Sequence, residues 1–86
     1  MGNTPVRADG IKERDVGGER MLYHVTERAV HVLNETADFV WQLCDGKRGV
    51  DEIAAEVVSA YDVSEEQACA EVGECISVLR ERRVLQ

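Results

Sequence analysis

The sequence predicts an α+β protein in which a three-stranded antiparallel sheet is followed by three α-helices. Three observations predict it. Apolar residues recur with a period near two before Leu33 and near 3.6 after it. Gly17-Gly18 is a two-residue hairpin signal, because both central positions of a tight hairpin favour positive φ. Asn34 and Ser64, two good N-cap residues, stand at the starts of amphipathic runs. The 86 residues leave room for one domain. The expected organisation is a flexible N-terminal arm over residues 1–10 and a single domain over residues 11–86.

The arm assignment rests on Gly2, Asn3, Pro5 and Gly10 among few apolar residues. Ile11–Val16 follows as a weak, charged strand. Glu19–Val25 is the second, carrying Met21, Leu22, Tyr23 and Val25. Thr26-Glu27-Arg28 is a polar turn. Ala29–Leu33 (AVHVL) is short, β-branched and the third strand. His31 should face away from Val30 and Val32, because successive strand side chains point to opposite faces.

The first helix is expected over Glu35–Cys44, with a stripe of Ala37, Val40, Trp41 and Cys44, widened by Leu43. Phe39 projects from its far side, and Asp45-Gly46 stops it, glycine suiting a left-handed cap. The second helix runs from about Val50 to Tyr61 on Val50, Ile53, Ala54, Val57, Val58 and Tyr61. Ser64-Glu65-Glu66-Gln67 is a capping box that opens the third, Glu65 to about Arg82. Its apolar band spans roughly 120°, in the order Cys75, Ala68, Leu79, Val72, Arg83, Ile76 and Cys69.

Composition excludes several functions. Ten Lys/Arg against seventeen Asp/Glu give a net charge of −7, a poor match to a phosphate backbone. No apolar run approaches the ~20 residues of a membrane span. Three cysteines without a C-x-x-C fit a reducing, cytoplasmic setting rather than a disulfide framework. Zinc-type ligand spacing is missing, so no metal and no cofactor is expected. Phosphate-loop, dinucleotide and H-E-x-x-H motifs are missing too. Nothing in the spacing brings a cysteine to a histidine as a nucleophile needs, and Asp51-Glu52 and Glu65-Glu66 suit helix starts without acid–base work. The expected protein is not an enzyme.

What remains is a binding module. A three-stranded sheet has two edges, and an uncovered edge offers unpaired N–H and C=O groups to an extended peptide. Ala29–Leu33 lacks the charges that blunt an edge, and the third helix could form a second wall. Two other classes fit the same elements. One is a winged-helix DNA-binding domain, for which the third helix is too acidic. The other is a homodimer formed through strand pairing.

The run Leu33–Gly46, LNETADFVWQLCDG, resembles the L-N-x-(T/S)-A-x-x-(I/V)-W-x-L-x-(D/E)-G signature of the PqqD family, the pyrroloquinoline quinone biosynthesis protein D family and prototype of the RiPP recognition elements. GVDEIAAEVVSAYDVSEEQACAEV and CISVLRERRVL are similar to the segments that follow in that family, and the resemblance covers about residues 11–86. Departures are Gly49 for the usual Thr before the second helix, Glu71 for Asp, Cys75 for a frequent aromatic and Arg83 for Gly.

The resemblance implies a winged-helix-like fold and a peptide-binding chaperone without catalysis. Such a protein binds the leader region of a ribosomally made precursor and presents it to a modifying enzyme, often a radical SAM protein. It implies that the leader pairs with Ala29–Leu33 and lies between that strand and the third helix. On that basis Val30, His31 and Val32 supply backbone pairing. Leu33, Val72, Ile76 and Leu79 supply apolar contacts, and Arg80 and Arg83 meet acidic leader residues at the rim. Affinity should be around micromolar, because ordering the leader costs entropy.

Overall fold

The strands form where the period-two segments predict them: β1 (Ile11–Val16), β2 (Glu19–His24) and β3 (Ala29–Leu33). They make one antiparallel sheet in the order β1-β2-β3. The helices are α1 (Glu35–Leu43), α2 (Val50–Tyr61) and α3 (Glu65–Glu81). This computed structural model describes residues 4–86. Gly17 and Gly18 both take positive φ, 59° and 87°, as the two-residue hairpin requires.

Register decides which side chains are covered. Leu22 lies opposite Glu13 and His31, Arg20 opposite Leu33, and His24 opposite Ala29. Directly opposed residues share a face. Leu22, His24 and Leu33 therefore mark the covered face, and all three are buried. His31 is on that side, turned away from Val30 and Val32 as expected. Met21, Tyr23, Val30 and Val32 share the other face, where Val30 is 54% and Val32 48% exposed.

The core joins Leu22 and Leu33 to Val40 and Trp41 of α1, Ile53, Ala54 and Val57 of α2, and Ala68, Val72, Ile76 and Leu79 of α3. Burying each Val, Leu or Ile side chain of this set is worth roughly 1.5–3 kcal/mol. α1 is the bridge between sheet and helices. The Arg20 Nε donates to Asp38 Oδ1 at 3.1 Å, and Gln42 Nε2 donates to Glu13 Oε1 at 3.1 Å. By contrast, no Cα of β3 comes within 8 Å of a Cα of α3.

Caps explain the helix starts. Ala37 N–H donates to Asn34 Oδ1 at 2.8 Å, and Gln67 N–H donates to Ser64 Oγ at 3.1 Å. Gly49 has no side chain to cap α2, but its own N–H donates to Glu52 Oε1 at 2.9 Å. Half of a capping box thus survives the loss of the hydroxyl.

Local expectations are corrected or extended in four places. The N-terminal arm, expected to be flexible over residues 1–10, is docked in its described part. Gly46 N–H donates to Pro5 O, Arg7 N–H to Cys44 O, Ala8 N–H to Val84 O and Gln86 N–H to Val6 O, all at 2.9–3.1 Å. Residues 1–3 lie outside the described residues. Arg7 Nη1 also reaches Gln42 O at 2.6 Å, placing a cation on the C-terminal carbonyls of α1. Gly46 is left-handed, φ 80°, but α1 ends earlier, at a Cys44 cap. Its lack of a Cβ matters for the arm: a Cβ there would sit 3.3 Å from Val6 Cγ2. Phe39, expected to project from the far side of α1, is not left bare there. It packs edge-on against Tyr61 of α2, ring centroids 5.3 Å apart. Arg83, which the resemblance sets at a glycine position, has a left-handed backbone, φ 61°. A non-glycine residue there is strained by about 1–2 kcal/mol.

Candidate functional site

β3 is an edge strand. β2 pairs with one side of it, and no other described strand pairs with its far side. In an antiparallel pair alternate residues turn their N–H and C=O toward the partner, so every second residue of β3 points these groups away from β2.

Beside that edge lies an open cleft of about 320 Å³. Val32 and Leu33 line it from β3, Asn34 and Ala37 from the start of α1, and Glu71, Glu74, Cys75, Val78, Leu79 and Arg82 from the third helix and its cap. The cleft exists because α1, rather than α3, holds the sheet. Its floor is apolar, from Leu33, Ala37, Cys75, Val78 and Leu79, and its helical rim is charged.

α3 therefore carries two neighbouring stripes. Ala68, Val72, Ile76 and Leu79 pack inward and are at most 3% exposed. Glu71, Cys75, Val78 and Arg82 stand about 100° round the helix from them and border the cleft. Val72 and Ile76, expected on the cleft wall, are core residues instead. Leu33 and Leu79 serve both sides. Cys75, Val78, Glu71, Glu74 and Arg82 are cleft residues that sequence reasoning did not select. Their signal was the 71-75-78-82 spacing, hidden by its mixture of polar and apolar side chains.

The expected rim cations lie just outside the cleft. Arg80 is exposed, and its Nε donates to Gln86 O at 3.1 Å. Arg83 pairs with Glu27 of the β2–β3 turn at 3.6 Å. Its side chain is 72% exposed, so that pair stabilises little. It does show that the C-terminal end of α3 faces the start of β3.

Titration behaviour follows the same geometry. Burial holds His31 below its ordinary imidazole value, and the Arg82 and His24 charges lower it further. Burial raises the Cys75 thiol, with Glu74 adding to it. Burial pushes the Cys44 thiol up to about 11, and Cys75 contributes. Neither thiol is poised as a thiolate nucleophile. Among the described residues, no group of three His, Cys, Asp or Glu side chains could hold a metal ion. No helix of the described residues is long and apolar enough to cross a membrane.

An α+β domain with an uncharged sheet edge at β3 and a cleft between that edge and its last helix defines the class. The chain belongs to the PqqD family: the sequence profile described as Coenzyme PQQ synthesis protein D (PqqD) matches residues 19–85. No curated protein matches the chain. Three solved structures share the fold. TbiB1 in complex with the TbiA(beta) leader peptide is 16% identical, with a TM-score of 0.83 over 94% of each chain. A lasso peptide synthetase B1 complexed with the leader peptide is 17% identical, with a TM-score of 0.85 over 96% of this chain and 98% of that one. The PqqD truncation of Methylobacterium extorquens PqqCD, described as a stand-alone RiPP recognition element, is 24% identical, with a TM-score of 0.78 over 100% of this chain and 95% of that one.

Proposed function

We propose that this chain is a non-catalytic recognition element that binds the leader region of a ribosomally synthesised precursor peptide by adding it as a fourth strand at β3. The observation that carries this reading is the uncharged, unpaired edge of β3 beside an apolar-floored cleft. The backbone groups come from those of Val30, His31 and Val32 whose N–H and C=O point away from β2. Leu33, Leu79, Cys75 and Val78 form the apolar contacts. The captured leader is then presented to a modifying enzyme, a radical SAM protein in the reading we favour, in the cytoplasm. Membership of the PqqD family and likeness to two proteins solved with leader peptides support the leader as the ligand.

Titration of isotopically labelled protein with leaders of short precursors encoded beside it tests the proposal. Amide shifts are expected in Ala29–Leu33 and along the cleft face of α3. Shifts confined to β1 or to the outer helix faces would sink it. The same bare edge also fits pairing with a second copy. Sedimentation with and without leader distinguishes the two, since the leader should displace a copy that uses the same edge.

A further inference from the structure

We propose that the cleft selects peptides by charge at both ends, taking a cationic side chain beside Glu71 and Glu74 and an anionic one beside Arg82. The inference deepens the leader-binding reading and rests on it.

β3 and α3 run in opposite directions across the cleft. The Arg83–Glu27 ion pair ties the end of α3 to the turn that enters β3. Glu71 and Glu74 border the same cleft as Asn34, which follows the end of β3. One end of the cleft is thus acidic and the other basic, although the molecule as a whole carries −7. Uniform attraction of an acidic peptide does not describe this site: such a peptide meets Arg82 at one end and two carboxylates at the other.

Geometry sets the spacing. From Glu71 to Arg82 the helix rises about 16 Å at ~1.5 Å per residue. An extended strand covers that distance in about five residues. Side chains that face the cleft occupy alternate positions, so the two charges belong about four or six residues apart. The cleft-facing positions between them are apolar, to match Cys75, Val78 and Leu79. The charged ends sit on an exposed rim, where each pair contributes little affinity but opposes the wrong register and the wrong direction.

The test is selection of peptides from a displayed library of random short sequences, using the wild-type chain, a Glu71→Lys/Glu74→Lys variant and an Arg82→Glu variant. All three side chains are exposed, so the variants should fold, as circular dichroism would check. Wild-type protein should enrich an apolar strand with Lys or Arg at one end and Asp or Glu at the other. The Glu71→Lys/Glu74→Lys protein should lose or reverse the preference at the cationic end only. Arg82→Glu should do so at the anionic end only. Each charge reversal should weaken a wild-type-selected peptide by up to about fivefold at low salt, less as salt rises. If a reversed variant misfolds, the Gln variants at the same positions report the preference as its loss. Peptides that shift β3 amides but show no end preference, or variants that alter the opposite end, would overturn the charge reading alone. No enrichment, or enriched peptides that leave β3 amides unmoved, would overturn leader capture itself.

Discussion

β1 and β3 are the two edges of one sheet, and they are built in opposite ways. β1 reads IKERDV, with Lys12, Glu13, Arg14 and Asp15 in succession. Those charges must stay solvated, so a neighbouring chain that paired there would have to strip them of water. β3 reads AVHVL, with His31 as its single titratable side chain. The difference teaches where the molecule excludes association and where it permits it. Nothing in the stability of a three-stranded sheet requires the asymmetry, because both edges lack an outer strand among the described residues.

Proline substitutions give the largest expected effect and would break the comparison outright. An edge strand tolerates proline where its N–H faces away from the sheet. His31 and Val32 alternate, so one of His31→Pro and Val32→Pro keeps the β2 ladder and removes an outward donor. That variant should stay folded by circular dichroism and lose more than about tenfold in peptide affinity, from the lost bond and the ring's bulk. Proline at Lys12 or Glu13 should leave the affinity of folded protein unchanged. A folded β3 variant with wild-type affinity would remove the distinction between the edges.

The second effect sharpens the comparison by asking what lies behind the open edge. Val78→Asp places a carboxylate in the cleft wall at a position 37% exposed in the free chain. Its effect on unfolding should stay within about 0.5 kcal/mol, because the solvent still reaches it. Peptide affinity should fall about tenfold, since the bound strand would cover the charge. Anisotropy titration and thermal melts on the same protein separate the two. A melt lowered as much as binding would make Val78 a core residue.

The order of elements and most of their bounds were legible in the sequence. The switch of period at Leu33 and the caps at Asn34 and Ser64 are local signals, and local signals survive reading one chain at a time. The docking of Pro5–Ala8 was not legible. It depends on backbone bonds to Cys44, Gly46, Val84 and Gln86, which no side-chain pattern announces. Nor was the division of α3 into a core stripe and a cleft stripe. Periodicity marks a band as apolar, but only the separation of β3 from α3 decides which part of the band is left open. Hence Val72 and Ile76 looked like wall residues, and Val78 and Arg82 were passed over. The open edge of β3, by contrast, followed from its missing charge.

A third, smaller effect uses the cysteines as reporters. Cys75 lines the cleft, and Cys69 is likewise half-buried on α3 but is not among the lining residues. A bound peptide should slow alkylation of Cys75 several-fold at alkaline pH, where part of this raised thiol ionises, and leave the rate at Cys69 unchanged. Equal protection of both would indicate general tightening rather than occupation of the cleft.

The smallest effect lies in the titration of His31, and it probes the alignment of α3 with β3. Burial lowers the imidazole from its ordinary 6.5, with the Arg82 charge next and His24 after it. The unfolded chain therefore takes this proton at higher pH than the folded one. The stabilising contribution is present above about pH 6.5 and is lost as pH falls through the lower folded value, below which it stays constant. Arg82→Gln removes a nearby positive charge and should raise the His31 value, narrowing that window. An NMR titration of the imidazole protons reads both values directly. If His31 titrates unchanged in Arg82→Gln, the end of α3 does not face β3, and the open edge loses the charged rim that distinguishes its two ends.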